Sequence, residues 1–201
     1  MVIFVRHGTT ASNEPGNEKL RGWLPIPLNL AGMKESHDTA ESLAVVENVK
    51  ELMCGTLVRV IQSANEIAEV LGMELTPLEE LNDWDTGDFA GEDATKARAD
   101  LHDRIDNPNK AVPGGETFQF FLDRITPLLT KYVESEDVYI LVSSGRVGTL
   151  LKALSVNDGS HPDTPTLKGK PPIDPAGIMI VRADWNIPFM TRKTEETKGL
   201  S

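Results

Sequence analysis

Short apolar runs alternate with longer stretches in which apolar residues recur at helical spacing. The run at residues 2–5 consists of β-branched and aromatic side chains and predicts a fully buried strand. An equally apolar run at 138–142 predicts a second buried strand. Weaker runs at 52–56 and 73–77 predict two more, and residues 177–182 predict a last strand that is antiparallel or at the edge.

The stretches between these runs predict helices, at residues 33–47, 59–71, 92–106, 117–129 and 147–154. Gly72 is placed to end the second helix, and Thr117 or Gly115 to cap the fourth. Pro127 lies inside the fourth helical pattern, which predicts a kink or an interruption there.

Alternating strands and helices favour an α/β fold, a three-layer α/β/α sandwich with a mostly parallel central sheet and an antiparallel edge strand. The 201 residues fit one domain, 1–201, and the polar residues 193–201 are expected to form a loose tail. Residues 157–175 hold five prolines and two glycines and predict a loop.

Composition narrows the functional classes. The net charge of −11 argues against a nucleic-acid partner or an anionic membrane surface, and no segment has the apolar length of a membrane span. The single cysteine, Cys54, allows no disulfide within the chain, which favours a reducing, cytoplasmic compartment. Any phosphate site must then be built from local arginines.

The end of the first strand carries the strongest chemical signal. The apolar run stops in Arg6-His7-Gly8-Thr9-Thr10. Ligands of open α/β sheets bind beyond the carboxyl ends of the strands. A cation and a nucleophilic ring at such an end point to an anion handled by covalent chemistry.

Other candidate site residues are less specific on their own. Arg59 lies in the first turn of a helix that follows a strand, where anions are favoured, but a surface arginine is the simpler interpretation. Arg21, in Arg21-Gly22-Trp23, is a candidate substrate-binding residue or a surface residue beside a core tryptophan. The acidic stretch 78–91 contains Asp83 and Asp85 beside aromatic residues. Two interpretations are open: one of these carboxylates is a general acid, or the stretch is only a solvated loop.

Metal and nucleotide chemistry are not favoured. There is no P-loop and no Gly-x-Gly-x-x-Gly motif, and no histidine is spaced with cysteines or acids as in a metal site. No cofactor is expected. His37, His102 and His161 are interpreted as surface residues on helices or loops.

Five blocks of the sequence together resemble the histidine phosphatase superfamily, the phosphoglycerate mutase-like proteins. They follow the family's order over roughly the first 120 residues. The blocks are Arg6-His7-Gly8-x-Thr10-x-x-Asn13; Arg21-Gly22-Trp23 with Pro27-Leu28 and Gly32; Arg59 with Gln62-Ser63-Ala64; Gly87-Asp88-Phe89-Ala90-Gly91; and Pro113-Gly114-Gly115-Glu116-Thr117.

The resemblance implies an α/β fold with its site at the carboxyl edge of the sheet. It implies that His7 accepts a phosphoryl group, that Arg6 and Arg59 clamp its oxygens, and that Asn13 assists from the loop. It also implies a carboxylic acid that protonates the leaving oxygen. The family's acid falls on Asp83, with Asp85 as a rival and Glu80 third.

One position departs from the family. After the strand at 138–142 the family has a second pocket histidine, and here the matching residue is Ser144. The expected function is a phosphatase, a phosphoric monoester hydrolase, that acts on a small phosphorylated substrate through phosphohistidine at His7. A mutase is less favoured, because it must exclude water from its site and rebind its intermediate, and a pocket that lacks the second histidine suits this poorly. The alternative is a catalytically weakened relative that binds a phosphorylated ligand or a protein partner.

Overall fold

The computed structural model describes residues 1–14, 16–156, 167–168 and 171–182. Within these residues the strands are β1 (Val2–Arg6), β2 (Val49–Cys54), β3 (Leu75–Pro77), β4 (Val138–Ser143) and β5 (Ile178–Val181). They form one sheet in the order β3-β2-β4-β1-β5. The β5 strand pairs antiparallel with β1, and the other pairings are parallel. The predicted sheet with an antiparallel edge strand is confirmed.

The five helices of this part of the chain are α1 (Leu30–Leu43), α2 (Val58–Leu71), α3 (Ala94–Asp106), α4 (Phe118–Val133) and α5 (Gly145–Val156). Thr117 caps α4 by accepting a hydrogen bond from the backbone of Phe120, which settles the choice between Thr117 and Gly115. The helix continues through Pro127. Of the kink and the interruption predicted there as alternatives, the interruption does not occur. None of these helices is long and apolar enough to cross a membrane.

Alternation of side chains along β1 creates the three layers. Ile3 and Val5 pack in one apolar cluster with residues of α1 and α2. Val2 and Phe4 pack in a second cluster with residues of α3, α4 and α5. Each of these four side chains is at most 2% exposed, because β1 lies inside the sheet and is covered on both faces. The predicted α/β/α sandwich is therefore confirmed.

The sheet register places the two chemically important strand ends side by side. Arg6, the last residue of β1, pairs with Ser143, the last residue of β4. Neighbouring strands lie about 4.8 Å apart, so His7 and Ser144 leave the sheet together.

Two glycines allow the segment after β1 to approach α1. A Cβ atom on Gly8 would lie 2.3 Å from the carbonyl oxygen of Gly32, and one on Gly32 would lie 2.0 Å from that of Thr9. Neither position accepts a side chain without moving backbone atoms. The glycines thus fix how closely the His7 segment packs on the first turn of α1.

Candidate active site

His7 is the first residue beyond β1 and is fully buried. Its backbone nitrogen donates to the carbonyl oxygen of Ser143 at 2.9 Å, and its carbonyl oxygen accepts from Ala176 at 3.1 Å. Its ring Nδ1 lies 2.8 Å from the carbonyl oxygen of Gly8. A carbonyl oxygen only accepts hydrogen bonds, so the proton is assigned to Nδ1 and the lone pair to Nε2. The Nε2 atom is buried without a hydrogen-bond partner among the described residues.

The surroundings of His7 keep its imidazole neutral. Burial lowers its pKa well below the ordinary value, and the charges of Arg21, Arg59 and Arg6 lower it further. The hydrogen bond to Gly8 acts in the opposite direction but is outweighed. A neutral imidazole with a free lone pair surrounded by cations is suited to attack an anion.

Arg59 enters the site from the first turn of α2 and is fully buried. Its Nη2 and Nη1 atoms donate to the carbonyl oxygens of Gly22 and Leu24 at 2.8 and 3.1 Å. Burial lowers its pKa to about 10, against the opposing charge of Asp83, so the guanidinium stays charged at neutral pH. Its Nε atom is buried without a partner in the described part of the chain.

Arg6 is held in a similar way. Its Nη1 atom donates to the carbonyl oxygen of Ile173 at 2.9 Å, and its buried Nε has no partner among the residues described. Burial, followed by the charge of Arg21, lowers its pKa to about 10. Arg6 therefore also remains a cation, with one N–H group still to be satisfied.

Arg21 and Asn13 belong to one hydrogen-bonded loop. The Nη1 atom of Arg21 donates to Oδ1 of Asn13 at 2.7 Å and to the hydroxyl of Thr10 at 3.3 Å. The same Asn13 oxygen accepts from the backbone nitrogen of Thr10 at 3.0 Å. Because Oδ1 of Asn13 already accepts these hydrogen bonds within the loop, the amide nitrogen is the Asn13 side-chain atom able to donate to a phosphate oxygen.

The structure separates the two candidate aspartates. Asp83 lines a cavity next to Arg6 and Arg21. Burial lowers the pKa of both arginines, and the charge of Asp83 opposes that lowering. Asp85 does not line this cavity. Its Oδ1 accepts a hydrogen bond from the backbone nitrogen of Gly87 at 3.0 Å, as in a tight turn. Glu80, the third candidate, is exposed.

Arg124 of α4 is a positioning residue that the sequence did not reveal. It donates to the carbonyl oxygen of Asp83 at 2.9 Å and pairs with the half-buried Glu116 at 2.7 Å. Glu116 in turn accepts from the backbone nitrogen of Asp85 at 2.9 Å. The pair ties the acidic loop to the Gly-Gly-Glu-Thr turn at residues 114–117. The turn was one of the blocks noted in the sequence, but nothing linked it to Arg124.

Ser144 and Arg146 follow the end of β4, next to the end of β1 that leads into His7. Ser144 is 1% exposed, and its hydroxyl is buried without a partner among the described residues. The Nε atom of Arg146 lies 3.4 Å from Oδ1 of Asp83, and its guanidinium lies over the ring of Trp84, 5.2 Å from the centroid. The neighbouring strand end thus supplies a neutral hydroxyl and, two residues on, a cation.

A cavity of about 240 Å³ is lined by Arg6, Arg21, Asp83 and Arg146, among other residues. His102 of α3 was expected to be an ordinary surface residue, but the structure places it on the cavity wall, half-buried. Two more basic residues that the sequence did not single out, Arg98 and Lys168, also line the cavity. No motif marks either residue, and α3, which carries Arg98, is polar on most of its surface. His37 is exposed, as expected, and lies 3.1 Å from Glu66. His161 falls outside the described residues, as do most of the predicted 157–175 loop and the predicted tail at 193–201.

Most of the buried polar side-chain atoms that lack a hydrogen-bond partner among the described residues lie around His7. Of the side chains that the structure describes, six have a buried polar atom without a hydrogen-bond partner. Buried polar groups are ordinarily paired, so such a concentration indicates a place built to receive a polar ligand. Five of the six belong to the site around His7: Arg6 Nε, His7 Nε2, Arg59 Nε, Ser144 Oγ and Arg146 Nε. In the same part of the chain, no three His, Cys, Asp or Glu side chains are grouped closely enough to hold a metal ion.

Comparison with known proteins gives a consistent result. The family model of the histidine phosphatase superfamily (branch 1) matches residues 2–181. Phosphoglycerate mutase-like protein 4 of Arabidopsis thaliana is 26% identical over 159 residues, which cover 74% of this chain and 68% of that protein. Uncharacterized phosphatase PhoE of Bacillus subtilis (strain 168) is 27% identical over 168 residues, 78% of each chain.

A solved structure agrees with this chain in fold. The mycobacterial glucosyl-3-phosphoglycerate phosphatase superposes with a TM-score of 0.69 at 20% identity. The superposition covers 88% of this chain and 87% of that chain. At this identity the likeness concerns the fold alone.

Proposed function

Since this chain belongs to the histidine phosphatase superfamily, we propose that it is a phosphatase that hydrolyses a small phosphomonoester through a phosphohistidine intermediate on His7. The observation that carries the proposal is the state of the His7 ring. Its Nδ1 is bound to the Gly8 carbonyl, its Nε2 is buried without a partner among the described residues, and its pKa is depressed by burial and by arginines. This is the arrangement that an in-line nucleophile at phosphorus requires.

The arginines supply the electrostatic part of the reaction. Arg6 and Arg59 each present an unpaired, buried Nε–H, and Arg21 adds a third cation beside His7. Fixed guanidinium groups match the charge on the equatorial phosphate oxygens without reorganising during the reaction. Asn13 and Ser144 are proposed to add neutral donors, the former through its amide nitrogen and the latter through its hydroxyl.

Asp83 is proposed as the general acid and base. In the first step the bond from phosphorus to the ester oxygen breaks, Nε2 of His7 takes the phosphoryl group, and the Asp83 carboxyl protonates the leaving alkoxide. In the second step the Asp83 carboxylate takes a proton from water. The hydroxide formed attacks phosphorus, inorganic phosphate leaves, and the neutral His7 is restored.

A second function is favoured by Ser144. A serine hydroxyl supplies one neutral donor where the family has an imidazole, and losing a single positioned donor can cost about 10²–10³ in rate. The alternative is therefore a weakened family member that binds a phosphorylated ligand or protein partner through the same arginines. The retained nucleophile and the depressed pKa of His7 favour the enzyme, because simple anion binding has no need of an unpaired Nε2.

The test combines turnover with trapping of the intermediate. Wild type, His7→Ala and, as a matched control, His37→Ala of the exposed histidine are incubated with 4-nitrophenyl phosphate and quenched rapidly at alkaline pH. We expect turnover and an acid-labile, base-stable phosphoprotein in wild type and His37→Ala, and neither in His7→Ala. Equal inactivity of wild type and His7→Ala, with no trapped phosphoprotein, would refute the enzyme proposal.

A further inference from the structure

The peptide group that joins Gly8 to Thr9 lies between His7 and a carboxylate of α1. Its carbonyl oxygen, that of Gly8, lies 2.8 Å from Nδ1 of His7 and accepts the ring proton. Its N–H group, that of Thr9, donates to Oε2 of Glu35 at 2.9 Å. Because the N–H and C=O bonds of a trans peptide point in opposite directions, Glu35 and the imidazole bind opposite ends of one dipole.

Both oxygens of the Glu35 carboxylate contact Thr9. While Oε2 accepts from the backbone, Oε1 accepts from the Thr9 hydroxyl at 3.0 Å. Neither oxygen has to donate a proton, which is the hydrogen-bonding pattern of an ionised carboxylate. The side chain is half-buried, and within the part of the chain that the structure describes no cation forms an ion pair with it. Its charge is therefore directed at the segment that follows His7.

The neighbouring backbone groups are fixed as well. The backbone nitrogen of Gly8 donates to the hydroxyl of Ser63 on α2 at 3.0 Å. The carbonyl oxygen of Thr9 accepts from the backbone nitrogen of Asn29, the residue that caps α1, at 3.0 Å. The groups on both sides of the Gly8 carbonyl are thus held by two helices. This arrangement aims the carbonyl at His7 and leaves it little freedom to turn away.

The charge of Glu35 acts on the site from outside the cavity. Burial lowers the pKa of Arg6 to about 10, and the charge of Glu35 is among those that oppose this lowering. Hydrogen bonds in a chain polarise one another, so a carboxylate on the Thr9 N–H makes the Gly8 carbonyl a stronger acceptor. A stronger acceptor at Gly8 favours the form of His7 that has its proton on Nδ1 and its lone pair on Nε2.

The imidazole needs this support most while it reacts. In the first proposed step Nε2 gives its lone pair to phosphorus, the bond to the ester oxygen breaks, and the proton on Nδ1 stays in place. The ring therefore changes from neutral to positively charged beside three arginines, whose charges disfavour a cation there and lower the pKa of His7 together with burial. The hydrogen bond to Gly8 acts in the opposite direction. A group that strengthens this hydrogen bond stabilises the charge that develops on the ring.

We propose that Glu35 is a positioning residue of the nucleophile. Its carboxylate acts through the Gly8–Thr9 peptide group, holds the proton on Nδ1 of His7 and stabilises the positive charge that the ring acquires as Nε2 takes the phosphoryl group. The proposal rests on the proposed function and adds to it a residue that does not line the cavity. In a Ser-His-Asp triad a carboxylate supports its histidine by direct contact. Here one peptide group lies between the two side chains.

Two substitutions in the full chain separate the charge of Glu35 from its role as a tether. Glu35→Gln retains an acceptor for the Thr9 N–H and a donor for the Thr9 hydroxyl, so it removes the charge alone. Thr9→Val retains the charge and the N–H contact but removes the hydroxyl contact. Glu41→Gln removes the same charge as Glu35→Gln from an exposed position of α1 and is the matched control.

The kinetic readout is kcat/KM on 4-nitrophenyl phosphate, which reports the steps up to release of the phenol and not the later hydrolysis of the phosphoprotein. It should fall about tenfold in Glu35→Gln, the order expected when one charge acts through a single peptide group. The inhibition constant of inorganic phosphate should not rise, because removing a negative charge does not weaken the binding of an anion. Thr9→Val should lose less than Glu35→Gln, and Glu41→Gln should match wild type.

Nuclear magnetic resonance of isotope-labelled histidine reports the same link without turnover. The His7 signals are those missing in His7→Ala. In wild type we expect a protonated Nδ1 and an unprotonated Nε2. The resonance of the Nδ1 proton should move upfield in Glu35→Gln, because the hydrogen bond to the Gly8 carbonyl is weakened. It should not move in Glu41→Gln.

The outcomes separate this proposal from the proposed function. If wild type turns over and Glu35→Gln leaves either the rate or the Nδ1 resonance at the wild-type value, the phosphatase stands and the role of Glu35 is refuted. An equal loss of kcat/KM in Thr9→Val and Glu35→Gln also overturns the proposal, because the side chain is then only a tether. If wild type has no turnover but the resonance depends on Glu35, the phosphatase proposal fails and the link between Glu35 and His7 stands.

Discussion

The Nε atom of Arg146 lies 3.4 Å from Oδ1 of Asp83, and the same oxygen accepts the backbone N–H of Trp84 at 2.8 Å. The Arg146 guanidinium is itself supported by the Trp84 ring. These contacts hold the Asp83 carboxylate at the cavity, whereas the Asp85 carboxylate is engaged by the turn at Gly87. Two aspartates separated by one residue thus have different surroundings.

The first prediction follows from this difference. Asp83→Asn should lower kcat on an alkyl phosphate by about 10²–10⁴, because an amide cannot protonate the leaving alkoxide. The loss should be much smaller on 4-nitrophenyl phosphate, whose leaving group needs no proton. Steady-state kinetics on the two substrates measures the contrast.

Asp85→Asn is the matched control. It removes the same charge from the same loop, but its amide oxygen can still accept the hydrogen bond from Gly87. We therefore expect only small and similar losses on both substrates. A leaving-group-dependent loss in Asp85→Asn that is absent in Asp83→Asn would transfer the acid role to Asp85.

The second prediction concerns Ser144. Replacing it by histidine should raise kcat on 4-nitrophenyl phosphate by roughly tenfold or more, because an imidazole restores a positioned, chargeable donor beside the phosphoryl group. Ser144→Ala, which removes the unpaired hydroxyl, should lower kcat. Both variants are compared with wild type at equal folded fraction. An unchanged kcat in Ser144→Ala together with no gain in Ser144→His would show that this position does not contact the phosphoryl group.

The fold was largely predictable because its signals are local. The apolar runs of β1 and β4 have no polar interruption, and helical periodicity is clear in most of the segments between strands, though weak at 92–106. This was enough to predict a three-layer sandwich with an antiparallel edge strand. The strand end at His7 could be recognised for the same reason. Arg59 taken alone was more simply interpreted as a surface arginine, which is wrong because the residue is fully buried, and only the family resemblance assigned it to the site.

The remaining parts of the site depend on contacts between residues distant in sequence. Arg124 lies more than forty residues from Asp83 in the sequence, yet its side chain contacts the acidic loop. Nothing in the composition of α4 reveals this contact. His102 was expected at the surface because a polar helix does not show which of its faces meets a cavity. Asp83 and Asp85 likewise differ because only Asp85 is engaged by the turn at Gly87. Hydrophobic periodicity along the sequence carries no information about such a turn.

The third prediction concerns stability at acid pH. The pKa of His7 is depressed in the folded protein, whereas the unfolded chain protonates this residue near the ordinary value of 6.5. Stability that is present above pH 6.5 is therefore lost as the pH falls below it, by up to about 1.4 kcal/mol per pH unit for one proton. Urea unfolding between pH 7 and pH 5 should show a smaller loss in His7→Gln than in wild type. His37→Gln, at an exposed position, should retain the wild-type loss, and equal slopes in wild type and His7→Gln would contradict the depressed pKa.

The fourth prediction compares two glycines with positive φ. Gly87 has φ +48°, and a Cβ there would lie 2.1 Å from the carbonyl oxygen of Pro113 and 2.4 Å from the backbone nitrogen of Gly115. Gly72 has φ +62° at the end of α2, and a Cβ there would meet nothing within 4 Å. Gly72→Ala should lower the free energy of unfolding by about 1 kcal/mol, the cost of a left-handed conformation. Gly87→Ala should cost about 1–3 kcal/mol more, because backbone atoms must move. It should also lower kcat on an alkyl phosphate, since the displaced turn carries the loop that holds Asp83. Equal unfolding free energies for the two variants would mean that the acidic loop does not depend on this close backbone packing.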